Sequence, residues 1–172
     1  INVINSLIKK VNNLVIVGAM ANNFLAYKNL NVGKSLIENN TIEIIDKIYK
    51  NAALNDCIVS IPEDVVVSLK LNGEGTIKET DAIKNDDIIL DIGPKSIKII
   101  KEIINKSNTV LWNGPAGYFE NKNFINGTMS IAQAISKNTI EKTLISVLGG
   151  GDTLAALNKC KNELSFSHLS TA

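Results

Sequence analysis

The sequence predicts a three-layer α/β sandwich, a mainly parallel sheet with helices on both faces. Short apolar, β-branched runs alternate with segments of helical periodicity along the whole chain. The ends of those runs carry small-residue turns at Gly18, Gly93, 113–117 and 149–152. The 172 residues, 45% hydrophobic and 20% charged, have an ordinary globular balance and suit one domain.

Ile1, Ile4, Leu7, Ile8 and Val11 recur at the spacing of one buried helix face. A strand is expected at 14–17, and Gly18-Ala19-Met20-Ala21 turns into a helix that runs to about Lys28. A second helix covers 40–53, with Ile42, Ile45, Ile48 and Tyr49 on one side. Strands at 58–60 and 65–67 flank Pro62, which forces a break. Residues 71–87, with the turn pair Asn72-Gly73, read as an exposed hairpin and charged loop. The strand at 88–92 ends at Gly93-Pro94, and Pro94 suits the first turn of a helix to about Asn105. A strand at 109–112, a loop at 113–117, a helix at 123–137 and a strand at 143–147 follow. Helices on both faces of the sheet, joined by right-handed crossovers, make the expected architecture Rossmann-like, with ligands bound beyond the carboxyl ends of the strands.

The stretch Leu148-Gly149-Gly150-Gly151-Asp152-Thr153 lies between the last strand and a helix at 154–159. Three glycines leave backbone N–H groups unshielded at a helix start, where an anion such as phosphate binds. Asp152 either caps that helix or partners a Mg²⁺ that bridges it to the phosphates. The expected ligand is a Mg-nucleotide.

Other chemistries are excluded or disfavoured. A net charge of +1 and the lack of a basic tract give no case for nucleic acid. No apolar run approaches the roughly 20 residues of a membrane span, and no signal peptide is visible. With Cys57 and Cys160 far apart and outside any metal-ligand spacing, a cytoplasmic protein is expected. His168 is the sole histidine, and no GxSxG turn supplies a nucleophile. Gly33-Lys34-Ser35 is not a P-loop end, because Lys28 occupies the position of the required first glycine. A dinucleotide-dependent oxidoreductase fails because Leu154 stands where Gly149-x-Gly151 needs a third glycine.

Residues 110–120, Val-Leu-Trp-Asn-Gly-Pro-Ala-Gly-Tyr-Phe-Glu, closely resemble the WNGPxGxFE motif of phosphoglycerate kinase. Gly149 to Thr153 resemble that family's GGGD[ST] motif, and Gly127-Thr128 its intervening GT. Gly18-Ala19-Met20-Ala21 looks like its GGGMA turn, Asp91-Ile92-Gly93-Pro94 its DxGP turn, and 167–171 its SHxST. The resemblance spans the chain and is to the C-terminal, nucleotide-binding half of that enzyme. It implies that Asp152 holds Mg²⁺, that Gly150, Gly151 and Thr153 meet the phosphates of ADP or ATP, and that Gly149 belongs to the same nucleotide site. Asn113 would lie near the transferring phosphate, with Gly114, Pro115 and Gly117 shaping a loop over the nucleotide. Glu120 would accept from the ribose hydroxyls, a task suited to a carboxylate, or serve only as a partner of the following helix dipole. Gly18, Leu36, Leu90 and Tyr118 would line the adenine slot. Trp112 is expected in the core and His168 in a structural role.

The sequence departs from the family pattern where the GGGMA glycines are reduced to Gly18-Ala19, and where Tyr118 replaces a smaller aliphatic residue. Both chain ends fall inside family elements, so residues 1–172 are expected to be the nucleotide-binding C-terminal domain of a two-domain kinase without its N-terminal substrate domain. The family resemblance implies reversible phosphoryl transfer between 1,3-bisphosphoglycerate and ADP, with 3-phosphoglycerate bound through the other domain. This chain alone is expected to bind nucleotide as a monomer without catalysing transfer. The alternative is a non-catalytic nucleotide-binding module.

Overall fold

The computed structural model describes residues 2–160 and 162–170. Ile1 and Thr171, which the sequence patterns above include, lie outside the described residues. The helices are α1 (Asn2–Ile8), α2 (Ala19–Tyr27), α3 (Ile42–Leu54), α4 (Pro94–Lys106), α5 (Asn126–Glu141) and α6 (Gly151–Leu157). The strands are β1 (Asn13–Val15), β2 (Ile58–Ser60), β3 (Asp64–Ser68), β4 (Thr76–Glu79), β5 (Ile88–Ile92), β6 (Thr109–Asn113), β7 (Ile145–Gly149) and β8 (His168–Ser170).

The strands form three sheets, with orders β1-β2, β4-β3-β5 and β6-β7-β8. Pairing is parallel in the first and third sheets and antiparallel in the second. The expected mixed α/β architecture is present, but its strict alternation of strand and helix breaks between β2 and β5. The connection at 69–75 is too short for a parallel crossover, so β3 and β4 form an antiparallel pair, and β5 pairs antiparallel on the other edge of β3. The sequence patterns do not predict β8; it adds a third parallel strand, with His168 exposed opposite Val147.

Three apolar clusters fill the interior, the smallest joining Val65 and Val67 of β3 to Ile83. One joins Ile97, Ile100 and Ile104 of α4 to Ile131 and Ile135 of α5, above Trp112 and Leu148. Another joins α1, α2 and α3 through Ile8, Phe24, Ile45 and Ile48. Ile42, expected on that buried side, is 69% exposed; it opens α3, one turn before Ile45 meets the core. The helix expected at 123–137 starts later, at Asn126, after a short 3-10 turn at Lys122–Phe124.

A buried carboxylate from a neighbouring strand sets the start of α4. Asp64 of β3, 2% exposed, accepts from Lys95 N at 2.9 Å and from Ser96 N and Oγ at 2.7 Å each. It caps the helix as a local Asp would, but from about 30 residues upstream. Gly93 is required here because a Cβ would run into that carboxylate. Asp64→Ala should therefore lower stability by about 2 kcal/mol, since two helix N–H groups and one hydroxyl lose their acceptor. Urea unfolding with an unchanged slope would measure it, and an unchanged midpoint would refute the capping role.

Candidate nucleotide site

β6 and β7 pair in parallel with Asn113 opposite Gly149, so the turns that leave them emerge side by side. Gly150 is the cap position of α6, with φ 93°. A Cβ there would lie 2.5 Å from Asn113 Oδ1, so both backbone conformation and space demand glycine. Gly114 N donates to Thr153 Oγ1 at 2.7 Å, and Thr153 is wholly buried. This bond fastens the 113–120 loop to the first turn of α6. The Trp112 indole, in the core as expected, donates to Gly114 O at 2.7 Å and braces the same loop. Gly151 faces open space, and Asp152 beside it is exposed. Asp152 is not the cap expected from its position. It lies inside the first turn and makes no capping hydrogen bond, because the helix begins at Gly151 and the glycine before it takes the cap conformation. Its carboxylate is left facing solvent.

The β1–α2 turn meets the same loop. A Cβ on Gly18, whose φ is 67°, would lie 2.8 Å from Pro115 O. Farther along, Tyr118 N donates to Leu90 O at 2.7 Å, and a Cβ on Gly117 would come within 2.6 Å of that carbonyl. Gly18, Leu90, residues 113–118 and residues 149–153 thus form one connected arrangement. Leu90 joins it through its backbone; its side chain is 6% exposed. Leu36 joins only indirectly, its carbonyl accepting from Asn22 Nδ2 of α2 at 3.0 Å while its side chain is 74% exposed. Glu120 is exposed at the far end of the loop, where Lys159 Nζ reaches its carbonyl at 3.4 Å. Two cavities lie elsewhere, one lined by Val15, Ile61 and Ile100, the other by Lys137 and Leu164.

Asp91 of β5 receives no role from the sequence. It is 2% exposed, with one oxygen accepting from Ile92 N and the other from Gly127 N, both at 2.9 Å. Gly127 is the second residue of α5, so the carboxylate sits at that helix start. A Cβ on Gly117 would lie 2.6 Å from Asp91 Oδ1, and one on Gly127 would collide with it. The signal available in sequence is an acid closing an apolar strand two residues before Gly93-Pro94. Burial pushes its pKa from 3.8 to about 6, against the lowering effect of the Gly127 and Ile92 N–H donors. A folded-state pKa above the unfolded one contributes stability that is full below about 3.8 and lost as pH rises through about 6. That difference corresponds to about 3 kcal/mol. Asp91→Asn removes the titration, so its stability deficit relative to wild type should shrink by about that amount between pH 4 and pH 7. A deficit independent of pH in urea unfolding would refute it.

Over residues 1–172 the chain matches the family model described as "Phosphoglycerate kinase". It is 43% identical to the phosphoglycerate kinase of Chelativorans sp. (strain BNC1), over 100% of this chain and 44% of that protein. It is 40% identical to that of Wolbachia pipientis subsp. Culex pipiens (strain wPip), over 99% of this chain and 44% of that protein. The structure of phosphoglycerate kinase from Coxiella burnetii superposes with a TM-score of 0.91 at 35% identity, covering 98% of this chain and 43% of that one. The enzyme from Pyrococcus horikoshii OT3 shares the fold, with a TM-score of 0.75 at 24% identity over 98% of this chain and 42% of its own. The chain therefore spans less than half the length of the relatives it matches. Matched along all of its residues, at a level of identity that goes beyond a shared fold, this chain belongs to the phosphoglycerate kinase family.

Proposed function

We propose that this chain supplies the Mg-nucleotide wall of a protein that transfers a phosphoryl group reversibly between 1,3-bisphosphoglycerate and ADP. The observation that carries this reading is the Gly114–Thr153 hydrogen bond, which brings the 113–120 loop and the glycine turn of α6 together at the carboxyl ends of paired strands. Such strand ends are where open α/β sheets bind ligands.

The donor set fits Mg²⁺ better than a metal held by protein alone. Among the described residues no three His, Cys, Asp or Glu side chains converge. Mg²⁺ keeps several waters and takes one or two carboxylates together with substrate phosphates. The solvent-facing Asp152, in the first turn of α6, is such a carboxylate. When bound, the metal neutralises charge that develops on the transferring oxygens.

The chain's own residues then position the nucleotide. Gly150 and Gly151 let the phosphates approach the backbone N–H groups at the start of α6, where a side chain would block them. Thr153 holds Gly114 and thereby sets the height of the loop. Asn113, whose amide oxygen lies beside Gly150, is placed to meet the transferring group. Gly18 and Tyr118 flank the base side of the site, and Glu120 accepts from the ribose. Phosphoglycerate is assigned to the part of the protein beyond this chain, brought across by domain closure that excludes water.

Saturating Mg-ADP at about 100 times Kd should stabilise this chain by about 2.7 kcal/mol. That corresponds to a rise of about 5–10 °C in the unfolding midpoint. Asp152→Ala should abolish most of the rise, and chain alone should give no ATP turnover with 3-phosphoglycerate. No rise in folded wild-type chain would sink the nucleotide reading, and a full rise in Asp152→Ala would remove the metal role.

A further inference from the structure

α6 grips the 113–120 loop at both ends. At its start Thr153 Oγ1 accepts from Gly114 N at 2.7 Å. Just past its end, Lys159 sends Nζ to Phe119 O at 3.1 Å and Glu120 O at 3.4 Å, and lies 5.3 Å from the centre of the Phe119 ring. Lys159 is itself tied to the helix, its backbone N donating to Ala156 O at 3.1 Å. Among the described residues it makes no ion pair. A lysine that only covered an aromatic ring would leave its ammonium in water. This one places it on two successive carbonyls, and so fixes the backbone that carries the Glu120 carboxylate. Thr153 lies in the first turn of α6 and Lys159 two residues past its last residue, Leu157. One helix thus sets the separation between the phosphate end of the site and its ribose end.

We infer that Lys159 is a positioning residue for ribose recognition: it holds Glu120 at the distance from the glycine turn that a nucleoside diphosphate requires. The inference rests on the nucleotide reading above and extends it to a residue outside the motifs. Because Lys159 is exposed, its replacement leaves the core intact.

The test compares binding of Mg-ADP and of Mg-2′,3′-dideoxy-ADP, which lacks the hydroxyls Glu120 would accept from. It uses wild type and Lys159→Met, with Lys159→Gln as a second variant and ligand-free unfolding midpoints to verify folding. Lys159→Met should weaken Mg-ADP about fivefold, the scale of one hydrogen bond, and leave the dideoxy analogue within about twofold. Equal loss for both ligands, or loss for neither, would overturn the inference while leaving the nucleotide site in place. Failure of wild type to bind Mg-ADP would overturn the nucleotide reading itself, and the inference with it.

Discussion

The register between β6 and β7 is the constraint on which the candidate site depends. With Asn113 opposite Gly149, the residues that follow each strand leave the sheet at the same height, and Gly114 can reach Thr153. A shift of one residue would turn Asn113 to the other face and bring a different residue beside Gly150. Trp112 and Leu148, opposite one another and both buried, hold the register by packing into the core cluster. Apolar burial behind the sheet thereby fixes polar geometry at its edge.

Two buried acids solve a related problem for the connections. Asp64 and Asp91 lie on adjacent strands and each sits at the start of a helix that another part of the chain contributes. Asp64 accepts from three donors at α4. Asp91 has two, at Ile92 and Gly127, and its burial pushes its pKa up. The close approach of each carboxylate to a neighbouring backbone explains why residues 93, 117 and 127 are glycine. These glycines are spatial requirements; those at 18 and 150 also meet a conformational one, and Gly114, with open space around it, meets only the conformational one, the three φ lying between 67° and 97°.

Much of this is legible in the sequence because it is local. Period-two and helical patterns place most elements within a few residues, and the turns at Gly18, 113–117 and 149–152 prove to meet, while Gly93 abuts Asp64 instead. The antiparallel sheet is not legible, since the β-branched run of β3 has the same pattern whether its partner runs parallel or antiparallel. Asp152 reads as a possible cap because Asp is common there, whereas a glycine at φ 93° takes that place. The roles of Asp64, Asp91 and Lys159 depend on partners about 30 to 40 residues away, which no local pattern encodes. Leu36 and Leu90 look equivalent in sequence, yet one is largely exposed and the other buried.

Trp112 is the chain's only tryptophan, and its indole N–H is bonded to a carbonyl inside the loop that adjoins the glycine turn. The ring is otherwise enclosed by the apolar cluster between α4, α5 and the sheet. A displacement of Gly114 relative to the ring changes that bond and with it the polarity felt by the indole. The molecule therefore carries an intrinsic optical probe, whose emission reports the position of this loop without a label.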